Sequence, residues 1–500
     1  MNIAILHYHL RSGGVGSVVR AQAEALSRFA PDDRVVVLSG TPSETDLPVP
    51  VKVVSGLDYA AHAESVSRNA TGPRAATAAT ATAATAGLAD EMERALDEAF
   101  PGGCDLLHVH NPLIRKNAAL LGALAELQRR GLKLLVQVHD LAEDFRPDVY
   151  HDHSAYPRAC AYAAINTRDR DRLVASGLDP RHVHLLPNPV AIPAAFEARG
   201  GWREELGRGR RTALYPVRAI RRKNLGEVLL LAHFLPAGTE LAVTLPPTSP
   251  RDLPGYAAWK NLAAERFPRV RFEAGLGAQL AALYESSFCA VTTSVKEGFG
   301  YSYLDPIARG IPVVGREIPY VVADFRAHGI ALPGLYREIR IPRAVLSEKS
   351  LRAAVELRIE SFRRAYSGVF ASEDGSGLSE LEELLGALAR RFEEENLDFG
   401  ALDEGLQNSF LRRLGEDASL DRDLRTRNPF LPELFEARLS SGQAESLRGA
   451  LAAAYSAESC AGKLRTAYRD AVSEPIGGGV DRRALLARYL VPESFFPVAS

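Results

Sequence analysis

Cysteine is scarce, with four residues in 500, and Cys104, Cys160, Cys289 and Cys460 form no CxxC pair. That spacing suits neither a zinc ribbon nor a disulfide framework, and a reducing cytoplasm is the expected location. Net charge is also missing. Sixty Lys plus Arg stand against 62 Asp plus Glu, leaving -2, so there is no global field to hold nucleic acid or an anionic membrane. Any polyanion site must be local. No apolar run approaches the roughly eighteen residues that a membrane helix needs, and residues 1–30 lack the basic-then-apolar pattern of a secretory leader. Lysine itself is rare, 8 residues against 52 arginines. A lysine inside a motif is therefore informative.

What remains is ample for folding: 46% of the residues are hydrophobic, and a chain of this length accommodates about three domains at roughly 150 residues each. The first half alternates β-rich runs with helix-patterned stretches, as βαβ units do. Strands are expected at 2–8, 34–39, 51–54, 106–110, 133–139, 162–166 and 182–187. The Ala/Thr-rich segment continuing into DEMERALDEAF predicts a helix over about 73–99. PNPV at 187–190 and the Gly/Arg-rich stretch 199–211 break the pattern and mark a boundary. A second series follows, with strands at 212–218, 240–245, 270–274, 288–293 and 311–315. Two doubly wound halves imply a cleft between them, with ligands beyond the carboxyl ends of the strands. After about residue 345 the β pattern stops and Arg/Glu/Leu/Ala-rich helices follow. The predicted domains are 1–189, 190–345 and a helical extension 346–500, part of it crossing back to the first domain.

The most informative stretch is TTSVKEGFGYSYLDPIARGIPVVG, 292–315. A strand ends, a Gly-flanked acidic loop follows, and a helix begins near Tyr301. Backbone N–H groups there, uncrowded at Gly298 and Gly300, suit a phosphate. Glu297 can accept hydrogen bonds from sugar hydroxyls, and Asp305, eight residues on, can grip a ribose diol. In YPVRAIRRKNLGEVLLLA, 215–232, Arg218 ends a strand and Lys223 is expected to open a helix. A nucleotide diphosphate leaving group needs its developing charge neutralised, and fixed cations do this without a metal. Taken singly, each stretch is also compatible with a capped turn or an ordinary basic loop; strand ends on one sheet edge make the pair specific.

EGFGYSYLDPIARGIPVVG resembles the EGFGxxxxEAxAxGxPVV signature of GT-B retaining glycosyltransferases, closest to family four, with Asp305 in place of the second Glu and one methylene shorter. Further matches are SGGVGSVV (12–19), DLLHVHN (105–111), His139–Asp140 and PNPV (187–190), covering residues 1 to about 330. The resemblance implies a GT-B fold: two Rossmann-like domains facing a cleft, plus the C-terminal helical extension. It implies Arg218 and Lys223 on the diphosphate, Glu297 on the donor sugar, and His139 near the reacting groups. Gly298, Phe299, Gly300, Tyr301, Ser302 and Asp305 would surround the donor, a UDP- or GDP-sugar, with no cofactor and no metal. Gly13, Gly14 and Gly16 would lie under the donor phosphates and the acceptor. Closure about 187–193 would exclude water.

The glycine loop is no dinucleotide fingerprint, because Val19 stands where the third glycine belongs and no acid ends the second strand. There are four His-x-His pairs, His7/His9, His108/His110, His151/His153 and His182/His184; on a strand such a pair shares a face and could chelate a metal, and three of the four sit in or beside strands. Lining a polar cleft is the commoner use of such imidazoles. The loop 141–158 mixes acids, arginines and tyrosines, as a polar or partly anionic acceptor pocket would, or a solvated loop. The run 114–136 has a basic, apolar character that fits a membrane surface or a crossover helix. Expected partners are therefore the sugar nucleotide and a small-molecule, glycan or lipid-linked acceptor. Peripheral membrane contact and homo-oligomers through the C-terminal helices remain open, and nucleic acid is excluded. Rival readings are a sugar phosphorylase, a nucleotide-sugar epimerase, or a non-catalytic sugar-nucleotide-binding protein.

Overall fold

Alternation along the first strand sets the layering. In β1 (Asn2–His7) the side chains of Ala4 and Leu6 enter one apolar cluster and those of Ile3 and Ile5 another, as the two-residue period of a strand requires. Both faces are therefore covered. The helix Leu120–Arg129 places Leu120, Ala123, Leu124 and Leu127 in the first cluster, and Gly14–Phe29 places Val19, Ala23 and Leu26 in the second. The apolar face in the run 114–136 is thus core-facing, as in a crossover helix. The computed structural model describes residues 1–11, 13–59, 78–114, 116–150, 156–193, 211–277, 279–371, 375–473 and 476–499.

β1 belongs to a seven-stranded parallel sheet with β2 (Arg34–Ser39), β3 (Val51–Val53), β4 (Leu106–His110), β5 (Leu134–Val138), β6 (Ala161–Ala164) and β7 (Val183–Leu185). Their order is β3-β2-β1-β4-β5-β6-β7, and chain order reverses between β1 and β4. That switch point is where open parallel sheets bind ligands. A second parallel sheet holds β8 (Arg211–Arg218), β9 (Thr239–Leu245), β10 (Val270–Arg271), β11 (Ser287–Thr292), β12 (Val313–Arg316) and β13 (Leu335–Tyr336), ordered β10-β9-β8-β11-β12-β13. Its switch point lies between β8 and β11.

The chain divides into two compact units. One comprises Met1–Pro189, Ala365–Leu381 and Tyr455–Tyr489; the other Val190–Arg364, Glu382–Ala454 and Leu490–Ser500. Residues from 346 onward are thus shared between the two units and form no third one. Within the first unit, helix Ala457–Ser473 contributes Cys460, Leu464, Ala467, Tyr468 and Ala471 to the cluster over Ile3 and Ile5, a helical spacing that presents one stripe.

All twelve expected strands are present, with ends shifted by a few residues. β13 was not anticipated, nor was the antiparallel pair β14 (Arg340–Pro342) and β15 (Asn396–Asp398). The last corrects the expectation of a β-free tail: a three-residue strand with one apolar side chain has no periodicity to read, and its partner lies far off in sequence. The Ala/Thr helix is seen as Ala78–Ala99, its expected first turn lying outside the described residues together with 194–210. No described helix is long and apolar enough to cross a membrane.

Candidate active site

In the second unit, β8 ends at Arg218 and the chain passes through a short 3-10 turn, Arg221–Lys223, to Asn224 in the left-handed region at φ 57°. The following helix starts only at Leu225. Lys223 therefore does not open the helix, which corrects the sequence expectation. Its backbone is held instead by a hydrogen bond from the Tyr215 hydroxyl to the Lys223 carbonyl. The Thr293 hydroxyl lies 2.9 Å from the same oxygen and 3.1 Å from the Asn224 carbonyl. Lysine thus stands on a fixed turn at the carboxyl edge of the sheet.

Glu297, on the loop after β11, is 7% exposed. Lys223 Nζ donates to its Oε1, and Arg222 Nη1 donates to Oε2 at 2.7 Å and to the Lys296 carbonyl at 3.0 Å. The Tyr320 hydroxyl donates to the Glu297 carbonyl at 2.6 Å. Burial alone would push the Glu297 carboxyl up; Lys223 and Arg222 outweigh it and hold the group down to about 2. One carboxylate faces two cations, so the cluster keeps a positive surplus. Arg218 is not on that carboxylate, since its Nη1 donates to the Pro246 carbonyl at 3.1 Å. Arg222 is the residue that sequence reasoning passed over, although the run RRK carried the signal.

Gly300 sits at φ 103° before the helix Tyr301–Ile307, and a Cβ there would meet Val321 Cγ1 at 2.8 Å and Tyr303 Cδ2 at 2.9 Å. Only glycine fits that turn. Phe299 is buried edge-on against Tyr301 and Phe325, at ring separations of 5.1 and 6.4 Å, and Ser302 Oγ lies 3.4 Å from Thr292 Oγ1. Gly298 is half-buried beside them. Asp305, half-buried in the same short helix, has its carboxyl pushed up to about 6 by burial, with Arg309 offsetting only part of it. Arg309 bonds the Asp305 carbonyl at 2.8 Å.

Behind Lys223 lies a buried network. Asn224 Nδ2 donates to Glu227 Oε2 at 2.9 Å, and Gln407 Nε2 donates to Asn224 Oδ1 at 2.9 Å. Arg316 grips Glu227 through Nε and Nη2 at 2.8 and 2.6 Å, and Asp398 through Nη1 and Nη2 at 2.8 Å each. With the Arg337 carbonyl at 2.9 Å, every guanidinium proton is used.

The first unit presents imidazoles at the corresponding sheet edge. His7 ends β1, His110 ends β4, and His139 follows β5. His110 Nδ1 and His139 Nε2 are 2.9 Å apart. His108 Nε2 faces Gln137 Oε1 at 2.9 Å and its Nδ1 faces the Tyr468 hydroxyl at 2.9 Å. An amide oxygen only accepts, so His108 carries its proton on Nε2 and Tyr468 donates to Nδ1. Burial pushes His7 and His108 down to about 3, His139 to about 4, and His110 well below its ordinary value. All four are neutral at pH 7. Asn111, left-handed at φ 55°, accepts from the backbone N–H of His139 and Asp140 at 3.2 and 3.0 Å. It positions His139 and was legible only as the last letter of DLLHVHN.

Gly13 is extended at φ 173° and, like Gly14, exposed. A Cβ on Gly14 would meet nothing within 4 Å, whereas one on Gly16 would lie 3.0 Å from the Arg11 carbonyl. The chain's own packing therefore explains Gly16 and leaves Gly14 unexplained. His182 and His184 both face Asp470 Oδ2 at 2.9 Å, a structural use of that pair. Among the described residues no group of three or more His, Cys, Asp or Glu is placed to hold a metal ion; His151 and His153 lie outside them. In the loop 141–158, Glu143 accepts from the Tyr156 hydroxyl at 2.7 Å and Asp144 pairs with Arg168 at 2.8 Å. Those two acids are structural.

No protein-family model matches the chain. It is 25% identical over 450 residues to mannosylglucosyl-3-phosphoglycerate synthase of Petrotoga mobilis, covering 84% of this chain and 82% of that protein. A glycosyltransferase of Rickettsia africae superposes with a TM-score of 0.51 at 12% identity, covering 94% of this chain and 98% of the other. The chain has the GT-B glycosyltransferase fold. Sucrose-phosphate synthase of Thermosynechococcus elongatus, at a TM-score of 0.50 and 13% identity, shares this GT-B fold over 93% of this chain and 98% of its own. With the curated synthase matching along most of its length, the GT-B protein is an enzyme of the glycosyltransferase class.

Proposed function

We propose that the chain is a retaining glycosyltransferase that moves a sugar from a nucleotide-diphosphate sugar, UDP- or GDP-linked, to an acceptor hydroxyl without a bound metal. The observation that carries this reading is the Lys223–Glu297–Arg222 cluster on a fixed turn, with its positive surplus at the switch point of the second sheet. Lys223 and Arg222, with Arg218 at the end of β8, neutralise the diphosphate as the bond from the anomeric carbon to the phosphate oxygen breaks and its electron pair leaves with the phosphate. Glu297, ionised across the physiological range, accepts from donor-sugar hydroxyls. Asp305 takes the ribose. The acceptor oxygen bonds the anomeric carbon on the face the phosphate leaves, and its proton passes to the departing phosphate oxygen. Acceptor binding belongs to the first unit, beside His110, His139 and the unexplained Gly14. The curated relative's name places a phosphorylated glycerate in its product, and an acidic acceptor is the corresponding reading here. The four free thiols suit a cytoplasmic setting.

The deciding experiment screens nucleotide sugars for donor hydrolysis, then follows the productive donor by NMR with acceptor and excess chelator. Product and donor sharing the same anomeric configuration, at an unchanged rate in chelator, is the expected result. An inverted anomer, or loss of turnover restored by a divalent ion, overturns the reading.

A further inference from the structure

Four loops at the carboxyl edge of the first sheet bring a set of cations together. Arg11 follows β1, Tyr59 follows β3, Lys116 follows β4 and Arg146 follows β5. Asn117 fixes the arrangement by donating to the Gly56 and Leu57 carbonyls at 2.7 and 3.3 Å, which ties the Lys116 segment to the turn leading into Tyr59. Lys116 Nζ lies 5.4 Å from the centre of the Tyr59 ring, and His9 packs edge-on to the same ring at 4.9 Å.

The charges do not balance. Arg11 pairs with Asp58, and Arg146 pairs with Asp140 at 3.4 Å. Lys116 is half-buried and has no carboxylate within ion-pair distance among the described residues. Burial, and then the neighbouring Arg146, push its ammonium down from the ordinary value, and Asp140, already paired with Arg146, offsets only part of this. A cation partly withdrawn from water without a counter-ion of its own is costly. At the same sheet edge three buried ring nitrogens have no hydrogen-bond partner: His9 Nδ1, on the ring that Lys116 also faces, and His7 Nδ1 and His110 Nε2 at the strand ends. His7 and His9 are in edge contact at 5.6 Å. An unneutralised ammonium beside orphaned imidazoles describes a surface completed by a ligand that brings both negative charge and hydroxyls.

We infer that Lys116 and Arg146 bind an anionic group, phosphate or carboxylate, carried by the acceptor, while the orphaned imidazole nitrogens meet its hydroxyls. The inference rests on placing the acceptor in the first unit. Lys116 supplies a point charge and Arg146 a planar fork that exchanges Asp140 for the ligand. The selected acceptor is therefore a glycoside or polyol bearing an acidic group, and a neutral sugar of the same shape leaves Lys116 uncompensated.

The test is titration calorimetry on the full chain with 3-phosphoglycerate, glycerol 3-phosphate, D-glycerate and glycerol, alongside separate titrations with UDP and GDP. Wild type binds the anions and not glycerol, and the phosphate-only and carboxylate-only probes show which group is read. Lys116→Met and Arg146→Gln weaken anion binding about tenfold each, Lys116→Arg largely restores it, and nucleotide binding does not move. Anion affinity unchanged in Lys116→Met, or no anion binding by a wild type that binds nucleotide, overturns the inference and leaves the proposed function standing. A wild type that binds anions as expected but neither nucleotide supports the anion site and removes the proposed function.

Discussion

The strand ends of the two sheets carry different electrostatics. At the edge of the second sheet the ionisable groups stand in ion pairs: Glu297 with Lys223 and Arg222, and Arg316 with Glu227 and Asp398. At the edge of the first, burial keeps His7, His108, His110 and His139 neutral; His108 is bonded to Gln137 and Tyr468 and His110 to His139, while His7 Nδ1 and His110 Nε2 have no partner. The difference teaches what each edge is built for. Fixed charge suits a diphosphate whose negative charge grows during reaction. Neutral rings that donate and accept suit hydroxyls.

The sharpest way to break this comparison is to unpair the charged edge. Arg316→Met removes a cation that is 2% exposed and strands two buried carboxylates. The expected loss is about 3–5 kcal/mol of stability, read from the denaturant midpoint of the second unit. A loss below about 1 kcal/mol, the range of a surface ion pair, would mean that the network is solvated and that pairing is not what holds this edge.

Next in size is Lys223→Ala. In the proposed function the lysine belongs to the cluster that meets the diphosphate, and its removal leaves Glu297 with Arg222 alone. A fall in kcat of about a hundred- to a thousandfold is expected, the scale of losing one fixed electrostatic donor, with an unfolding midpoint close to that of wild type. Turnover within about twofold of wild type would remove the charged edge from the chemistry and leave it a structural feature.

How much of this contrast was legible follows from the range of the forces involved. Periodicity revealed the twelve strands of the two βα series because burial on both faces leaves a local record. Glu297 and Lys223 were legible because each sits in a turn whose glycine or basic run is itself local. The pairing of Glu297 with Arg222 rather than Arg218 was not, since it depends on the left-handed Asn224 and on Tyr215 and Thr293 holding one carbonyl. Asp398 and Tyr468 were invisible as site residues. Each lies in the tail, and each acquires its role from a partner 82 or 360 residues away.

A change of pH tests both edges at once. In the first unit burial holds His7 and His108 at about 3, His139 at about 4 and His110 well below its ordinary value, against 6.5 for an unburied ring. Between those values the unfolded chain binds protons that the fold refuses, so stability falls as pH drops below about 6.5. The buried Glu143, whose carboxyl is pushed up, offsets part of this. In the second unit Glu297 sits at about 2 against an ordinary 4.5, and its contribution is lost only below that ordinary value. Asp305, raised from 3.8 to about 6, acts in the opposite sense, since protonation on acidification relieves the cost of its buried charge. Moving from about pH 7.5 to about pH 5 should therefore weaken the first unit and spare the second. Hydrogen exchange, corrected for intrinsic rates, is expected to show protection falling in β1, β4 and β5 before β8 and β11. Loss in the reverse order would mean that the histidines are already charged in the fold, and the neutral edge would have to be abandoned.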